Sequence, residues 1–468
     1  MISMGITQSD IVGIMATNTS YVMTVSFAAF FIGTPFQAID ISLEKESVLH
    51  LWNITKPKLI FCDGAIYKVV SEVVNELDLQ CNIFTLSNHQ TGVENIETIL
   101  KIETTEVSTF KPFAISDLDA TAALCCSSGS SGPSKVVCWS HRFIKRYCLP
   151  LLNGSSSDII LNAFSLYWSV GIREYISAAL NEATLVVPYK FDAKEMLSLI
   201  EKYQVTKCLL VPVHIAQMLS CQEIHTINLS SMKIIQSTGA KLTIDLKNRL
   251  RQFLPPSCII KSTYGCSEMA GMAYEHQDSL FILHPNIEAK ILCLNTNKEQ
   301  NTDEEGEIAI RHKTSWCGYY NDEKATRQVY KDGWYRTGDL GHFDSNKYLH
   351  IKSRIKDIIR LELFDISPLE IESEIMKMTE VVLVVVVGIP DELKWNRLAA
   401  LVVKRPDSKI TAVDIQNHVA SRKPEYKHLN GGVYFVESVP TTATGKVSRR
   451  LATERGIELY NGKQNDTN

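Results

Sequence analysis

A run of hydroxyl side chains and glycines is the part of this sequence best suited to binding phosphate. Its residues are Ser127, Ser128, Gly129, Ser130, Ser131, Gly132, Pro133, Ser134 and Lys135. Hydroxyls and closely approaching backbone N–H groups donate hydrogen bonds to phosphate oxygens, and a lysine adds a positive charge. A flexible polar turn explains the same composition. The order Ser134-Lys135-Val136 also differs from the Gly-Lys-Ser/Thr of the common P-loop, so a nucleotide here would be held by another fold.

Apolar runs on both sides of this segment, called the hydroxyl loop below, predict that it joins two strands. Residues 122–126 precede the loop and residues 136–139 follow it. Short apolar runs bounded by turn residues are typical of buried strands. Strand and helix patterns alternate from residue 8 to residue 262, which predicts a parallel α/β sheet. Such sheets bind ligands at the carboxyl ends of their strands.

The pattern changes twice in the second half of the chain. From residue 280, short strand patterns separated by charged, glycine-containing turns predict antiparallel pairing. After Arg354, strands and helices mix in a small α+β pattern, with strands at 381–387 and 398–403 and a helix at 412–422. The polar residues from Gly456 onward are predicted to fray.

Composition and charge are ordinary for a soluble globular protein. Of 468 residues, 45% are hydrophobic and 21% are charged, and the net charge is −4, which gives no basis for a nucleic-acid or anionic-membrane partner. Twelve cysteines without a C-x-x-C pair predict reduced, mostly buried thiols. No secretory signal or convincing membrane span stands out, so we expect a cytoplasmic protein without a transmembrane segment.

Four later stretches also combine glycine with polar or charged side chains. They are Ser262-Thr263-Tyr264-Gly265-Cys266-Ser267-Glu268, Gly333-Trp334-Tyr335-Arg336-Thr337-Gly338-Asp339-Leu340-Gly341, Ser353-Arg354-Ile355-Lys356-Asp357 and Pro440-Thr441-Thr442-Ala443-Thr444-Gly445-Lys446-Val447-Ser448-Arg449-Arg450. Each alone is weak, since a Gly-Lys pair before two arginines is usually a solvated loop and an aspartate after Thr-Gly is usually a turn.

Taken with the hydroxyl loop, in this order and spacing, the four stretches resemble the adenylate-forming (AMP-binding) superfamily. The local residues Cys125–Ser128, Leu166–Trp168 and Tyr264–Glu268 most resemble insect luciferase-like acyl-CoA synthetases. The resemblance implies an N-terminal AMP-binding domain of parallel α/β subdomains with a distorted antiparallel β-barrel. It also implies a small, mobile α+β C-terminal domain that acts as a lid. We place the N-terminal domain at residues 1–352, its antiparallel part at 280–352, and the lid at 353–468.

The resemblance implies an acid–CoA ligase whose partners are a carboxylic acid, ATP and coenzyme A, with Mg²⁺ as cofactor. A carboxylate attacks the α-phosphate of ATP, pyrophosphate leaves, and coenzyme A then displaces AMP from the acyl-AMP. We expect the acid to be a medium- or long-chain fatty acid. Relatives are often peroxisomal, but no peroxisomal tripeptide ends this chain.

The resemblance also assigns roles to individual residues. The hydroxyl loop would wrap the β- and γ-phosphates, and Glu268, beside Ser267, would hold Mg²⁺. Asp339 would accept hydrogen bonds from the ribose hydroxyls and Arg354 would donate to them. The adenine slot would be formed by Gly239, Ala240, Tyr264 and Gly265. Lys446 would reach both the attacking carboxylate and the α-phosphate.

The second step implies rotation of the small domain about a hinge, which maps to Ser353. Arg360 lies in a hairpin that would then line the channel for coenzyme A. The acyl group would lie in an apolar pocket near Tyr167, Trp168 and the Gly265–Gly271 segment. Two adjacent aromatic residues are also common as plain core.

Several departures from the family pattern leave other functions open. Val136 stands where relatives have glycine, Ser353 where they have Asp or Lys, and Leu363 where the hairpin has glycine. Relatives usually have several dozen residues before the segment that matches Gly5-Ile6-Thr7, so we expect the family's first elements to be missing. One alternative is therefore an impaired or non-catalytic binder of nucleotide or acyl-AMP. A luciferase-like monooxygenase is a remote alternative.

Overall fold

The helices and strands form two large sheets with flanking helices, followed by a small α+β unit. The structure, a computed structural model, describes residues 1–101, 110–127, 134–148, 154–314, 316–361, 364–391, 394–441 and 446–465. Within these ranges the helices are α1 (Ser20–Ile32), α2 (Lys45–Thr55), α3 (Tyr67–Glu76), α4 (Ile96–Leu100), α5 (His141–Cys148), α6 (Ser169–Leu180), α7 (Ala193–Tyr203), α8 (Pro212–Ser220), α9 (Ile244–Arg251), α10 (Glu323–Val329), α11 (Pro368–Ile375), α12 (Ala412–Ala420) and α13 (Arg449–Asn465).

The strands are short in the first half of the chain and longer in the second. They are β1 (Val12–Met15), β2 (Phe36–Ala38), β3 (Leu59–Asp63), β4 (Asn82–Ser87), β5 (Thr121–Cys126), β6 (Val136–Ser140), β7 (Ile159–Asn162), β8 (Thr184–Val186), β9 (Lys207–Leu210), β10 (Ile234–Ser237), β11 (Ile259–Cys266), β12 (Ala270–Gln277), β13 (Leu280–Leu283), β14 (Ile287–Leu292), β15 (Gly306–His312), β16 (Tyr330–Lys331), β17 (Trp334–Phe343), β18 (Leu349–Arg354), β19 (Ile359–Leu361), β20 (Phe364–Ile366), β21 (Val381–Asp391), β22 (Trp395–Lys404) and β23 (Gly432–Phe435).

The first sheet holds the hydroxyl loop between its last two strands. Its order is β4-β3-β1-β2-β5-β6, parallel throughout except for the antiparallel pair β5–β6. The inner parallel strands β1 and β3 are fully buried and rich in Val, Ile, Leu and Phe, because helices cover both faces of such sheets. The predicted strand–loop–strand arrangement around the hydroxyl loop is therefore confirmed.

The second sheet is continuous and changes from parallel to antiparallel within one strand. β8-β7-β9-β10-β11 are parallel, and β11-β12-β13-β18-β17-β15-β14 are antiparallel. In β11, Ser262 still pairs with β10, whereas Thr263 pairs with Tyr274 of β12. The sequence pattern placed the start of antiparallel pairing at residue 280, whereas in the structure it starts at Thr263.

The small C-terminal unit is built on the sheet β21-β22-β23, which α11, α12 and α13 cover. The prediction of frayed residues from Gly456 is wrong, because α13 continues to Asn465. Gly456 lets the helix lie close to β21, since a Cβ there would be 2.9 Å from Val387 Cγ2. Ala452, one turn earlier, is fully buried. These small residues let the helix pack closely, and Ile457, Leu459 and Tyr460 add apolar contacts to the same core.

The small unit rests on helices of the second sheet. Arg249 Nη1 on α9 donates to the carbonyl oxygen of Val381 (3.4 Å), and Val382 is buried among the apolar side chains of α7, α8 and α9. Ser353 lies inside β18, opposite Leu340 of β17, and is only 3% exposed. The domain boundary and the hinge at Ser353 stay predictions.

All twelve cysteines are free thiols and most of them are buried, as predicted. Burial raises the pKa of Cys126 to about 12 and that of Cys81 to about 11, so both thiols remain protonated near neutral pH. In the described part of the chain, no helix is both long and apolar enough to cross a membrane.

Candidate active site

The side chains of Asp339, Arg354 and Tyr264 meet, although β12 and β13 separate β11 from the neighbouring strands β17 and β18 in the sheet. Tyr264 Oη donates to Asp339 Oδ2 at 2.6 Å, and Arg354 Nε lies 2.8 Å from Asp339 Oδ1. Arg354 Nη1 also donates to the carbonyl oxygen of Thr337 (3.1 Å), which fixes the guanidinium beside the carboxylate. The sequence placed these residues in one site from motif resemblance, and the structure brings them together.

The Asp339 carboxylate is buried, and Tyr264 and Arg354 hold its two oxygens in place. Burial raises the pKa of Asp339, although the Arg354 charge and the Tyr264 hydroxyl oppose that shift. Gly338, the preceding residue, has φ +69, a conformation that glycine adopts without the usual side-chain penalty. Its backbone N–H donates to Glu307 Oε1 (3.0 Å), and Glu307 also pairs with Arg336. Side chains of β15 and β17 therefore fix the backbone of β17 just before Asp339.

Glu268 lies close to the end of the hydroxyl loop. Tyr319 Oη donates to Glu268 Oε1 (2.8 Å), and Lys135 Nζ lies 4.7 Å from the centre of the Tyr319 ring. Trp139 Nε1 donates to the carbonyl oxygen of Ser267 (2.8 Å), which anchors the segment before Glu268. One tyrosine therefore connects the carboxylate to the cation that ends the loop. Tyr319 and Trp139 were missed at the sequence level.

The base of the hydroxyl loop is closed by two hydrogen bonds. Ser127 N donates to Lys135 O (2.8 Å), and Lys135 N donates to Ser127 Oγ (2.9 Å). Residues 128–133, which include Ser128, Gly129, Ser130, Ser131 and Gly132, lie outside the described residues. Their phosphate-binding role stays a prediction, while hydrogen bonds join the two described ends of the loop.

Lys446 reaches this site from the small C-terminal unit. Its side chain is packed against Gly239 after β10, where a Cβ would lie 3.0 Å from Lys446 Cε and 3.8 Å from Nζ. Burial and the nearby Arg354 lower the pKa of Lys446, while Glu268 and Asp339 act in the opposite direction. The amine therefore lies among the predicted nucleotide-binding residues of the large domain.

Arg449 anchors the segment that carries Lys446. Arg449 Nη1 and Nη2 donate to Glu372 Oε1 and Oε2, both at 2.8 Å, and Nη1 also donates to Val386 O (3.0 Å). Such two-pronged pairs fix direction as well as distance. Residues 442–445 lie outside the described residues, but Ser448 N donates to Pro440 O (2.9 Å) and closes the loop. The arginines after Lys446 were visible in the sequence without a role.

Small residues shape the predicted adenine slot. A Cβ on Gly265 would lie 2.1 Å from Ala270 O, so only glycine allows this close approach of β11 to β12. Gly239 has φ +83, and both Gly239 and Ala240 are exposed at the end of β10. Their position beside Lys446 is consistent with the predicted slot, which stays a prediction.

Tyr167 and Trp168 pack in the core between the two sheets. They are 2% and 9% exposed, and their rings meet edge to face at 4.8 Å. Burial raises the pKa of Tyr167, whose hydroxyl faces Ser134 at the end of the hydroxyl loop. This core packing agrees with the alternative kept open at the sequence level, and pocket lining stays a prediction.

Arg360 is not brought to this site. It lies on β19, two-thirds exposed, and its Nε is 3.2 Å from Asp365 Oδ1 on β20. Residues 362–363 of the same hairpin, including Leu363, lie outside the described residues. A catalytic role for Arg360 therefore stays a prediction tied to a second arrangement of the small domain.

Family models match most of the chain. The model of AMP-binding enzymes matches residues 1–320, and that of the C-terminal domain of AMP-binding enzymes matches residues 370–446. The chain therefore belongs to the AMP-binding enzyme family, and the resemblance seen in the motifs is confirmed.

Individual relatives agree with this assignment. The chain is 26% identical over 480 residues to 4-coumarate–CoA ligase CCL1 of Humulus lupulus, covering 97% of this chain and 86% of the relative. It is 25% identical over 465 residues to luciferin 4-monooxygenase of Photuris pensylvanica, covering 96% and 85%. Its fold matches that of ATP-bound MatB from Rhodopseudomonas palustris, with a TM-score of 0.87, 21% identity and coverage of 98% and 91%.

Proposed function

We propose that this chain activates a carboxylic acid with ATP to form an acyl adenylate and then transfers the acyl group to coenzyme A. The insertion of Lys446 among Asp339, Arg354 and Glu268 carries the proposal. A cation at this point can balance the negative charge that develops on phosphate oxygens during phosphoryl transfer. The similarity to a coumarate–CoA ligase and to ATP-bound MatB supports the same reaction class.

Each charged group has one task in this proposal. Asp339 accepts hydrogen bonds from the ribose hydroxyls, and Arg354 holds that carboxylate while its remaining N–H groups face the nucleotide. The Lys446 amine donates to the attacking carboxylate and to the α-phosphate, so that the two reacting groups meet without repulsion. A carboxylate oxygen forms the new bond to phosphorus, and pyrophosphate leaves with the electrons of the broken bond.

Glu268 fits a magnesium site. Its carboxylate is 7% exposed, and Tyr319 donates to one oxygen, while the described residues donate no hydrogen bond to the other. Mg²⁺ usually takes one or two protein carboxylates and completes its shell with phosphates and water. The described residues contain no cluster of three or more metal ligands, which is consistent with such a site. When bound, Mg²⁺ would neutralise phosphate charge.

The transfer step requires the small domain to turn and present another surface. Coenzyme A thiolate would attack the acyl carbonyl, and AMP would leave. The exposed Arg360 and the buried Ser353 are the residues that the resemblance assigns to this step. Thioester formation tests whether the step occurs. The expected fatty-acid substrate also stays a prediction, because the named relatives act on other acids.

The direct test is thioester formation by the purified chain. We expect ATP, Mg²⁺ and an accepted acid to yield acyl-AMP, and added coenzyme A to convert it to acyl-CoA, both followed by mass spectrometry. Acyl-AMP without thioester would favour the impaired binder instead. Oxidative light emission with luciferin and without thioester would favour the monooxygenase.

Replacing Asp339 by Asn should weaken ATP binding. The amide keeps the shape but loses the charge that Arg354 and the ribose hydroxyls share, and hydrogen bonds to charged groups contribute about 1.5–3 kcal/mol. We expect a loss of about 10- to 100-fold in ATP affinity by calorimetry. The exposed Asp303 provides the matched control, since Asp303→Asn makes the same change far from the site. Equal ATP affinity in both variants would contradict the ribose role.

The pH profile should show an alkaline limb set by Lys446. Because burial and Arg354 lower its pKa, the amine loses its proton at lower pH than an ordinary lysine. Activity needs the protonated amine, so kcat/KM for ATP should fall as pH rises through that lowered pKa. Lys446→Arg should move the fall to higher pH, because a guanidinium stays protonated. An unmoved limb would show that another group titrates.

A further inference from the structure

A cluster of charged and polar side chains lies beside the active-site strands and is unused in the reaction described above. Arg173 and Glu174 on α6 are nearly buried, and Arg173 Nε donates to Glu174 Oε1 at 2.9 Å. With its amide oxygen turned toward Arg173, Gln236 accepts from Nη1 (3.1 Å) and Nη2 (3.3 Å). Lys261 lies next to Gln236 in the sheet, because the two residues are register partners of β10 and β11.

This cluster adjoins the segment where the acyl group is expected. Gly271 follows Glu268 by three residues, and a Cβ there would lie 3.5 Å from the Tyr147 ring and 3.7 Å from His284 Nε2. The Arg173 charge acts on both the Tyr147 hydroxyl and the His284 ring. Tyr147, Gly271 and His284 each keep some solvent access, as expected for the wall of a cleft.

The cluster also lies at a defined distance from the reacting end. Lys261 precedes Tyr264 by three residues on β11, and Gln236 precedes Gly239, which touches Lys446, by three residues. The three strand residues from Lys261 to Tyr264 span roughly 10 Å, whereas β10 ends at Ser237, before Gly239. An acid whose carboxylate meets Lys446 would therefore reach the cluster with groups roughly 10 Å away.

Charge within the cluster is not balanced. Glu174 neutralises Arg173, whereas Lys261 has no carboxylate within ion-pair distance in the described parts of the chain. Burial and the positive charges of Arg173 and Lys207 lower the pKa of Lys261. Burial and the same Arg173 charge lower the pKa of His284, so its ring is neutral near neutral pH. Lys261 is therefore a partly buried cation without a carboxylate partner among the described residues, and an anionic group of the substrate would provide that partner.

We infer that the acid substrate carries a second anionic group, a second carboxylate, which Lys261 binds beside the Arg173–Glu174 pair at the far end of the acyl cleft. The inference rests on the proposed function. The alkyl end of a fatty acid would cover Lys261 without giving it a hydrogen-bond acceptor, which is unfavourable. A dicarboxylic acid replaces the water around Lys261 with a charged acceptor.

Pyrophosphate exchange with matched pairs of acids tests the inference. The pairs are succinate with butanoate, adipate with hexanoate, suberate with octanoate and sebacate with decanoate. We expect kcat/KM for the best dicarboxylate to exceed that of its partner by about 10- to 100-fold, because a site built for a polar group discriminates against analogues that lack it.

Variants of Lys261 provide the second readout. Lys261→Met should remove most of that preference by raising KM for the dicarboxylate more than KM for the monocarboxylate. Lys261→Arg should restore part of the preference. Lys298→Met, which removes a lysine from an exposed turn, should leave the preference unchanged.

Each outcome separates the inference from the proposed function. Equal or better exchange with monocarboxylates would overturn the inference and leave the proposed function standing. Preference for 4-coumarate over all dicarboxylates would also overturn it, in favour of a phenolic acid. An unchanged preference in Lys261→Met would remove Lys261 from the site. No exchange with any acid would refute the proposed function and, with it, the inference.

Discussion

Lys446→Ala should reduce the rate of acyl-AMP formation by about 100- to 1,000-fold, the loss typical of removing one preorganised charged donor from an active site. Among the described residues of the small C-terminal unit, Lys446 is the only one that we assign to the adenylation site. The methyl side chain of Ala cannot balance the negative charge that develops on the α-phosphate. Pyrophosphate exchange measures this half-reaction without coenzyme A.

The control for this experiment is Arg450→Ala. Arg450 lies on α13, four residues from Lys446, and its side chain is 72% exposed. Replacing it by Ala removes the same charge outside the site. Exchange within about twofold of the unmodified chain would refute a catalytic role.

Arg449→Met should destabilise the small domain by about 3 kcal/mol, because it leaves Glu372 as a largely buried carboxylate without its cation. The same change should also reduce pyrophosphate exchange, since Arg449 fixes the segment that carries Lys446. Urea unfolding measures the first effect, read from the transition of the small domain, since a chain with two domains need not unfold in one step.

A double-mutant cycle separates the ion pair from packing. Arg449→Met with Glu372→Gln should be less destabilised than the sum of the two single changes, because the second change removes the orphaned charge. Arg450→Met gives the matched control on the exposed side of α13, with an expected change within about 0.5 kcal/mol. Additive effects in the cycle would show that Arg449 and Glu372 do not interact in solution.

Local patterns predicted the elements that depend on nearby residues. Helix α7 lies in the region where the sequence predicted alternating strands and helices, and Asp192 caps its first turn by accepting from Glu195 N (2.8 Å). The strands around the hydroxyl loop were equally clear, because both are continuous apolar runs. In the site, Asp339 and Arg354 were found from motif order, and they prove to be register partners of β17 and β18.

Contacts between distant residues could not be predicted in the same way. Tyr319 and Glu268 are 51 residues apart, and Arg449 and Glu372 are 77 apart, so no local spacing signals either pair. The helix past Gly456 was missed for the same reason, since its stability comes from packing on Val387 rather than from its own polar sequence. The role of β11 in both halves of its sheet likewise depends on partners far along the chain.

ATP–pyrophosphate exchange by the unmodified chain with a panel of carboxylic acids, in parallel with Lys446→Ala, tests most directly whether this is an adenylation site. We predict acid-dependent exchange that needs Mg²⁺ and falls at least 100-fold in the variant. Exchange that is equal in the two proteins, or absent with every acid in the unmodified chain, would contradict an adenylation site built around Lys446.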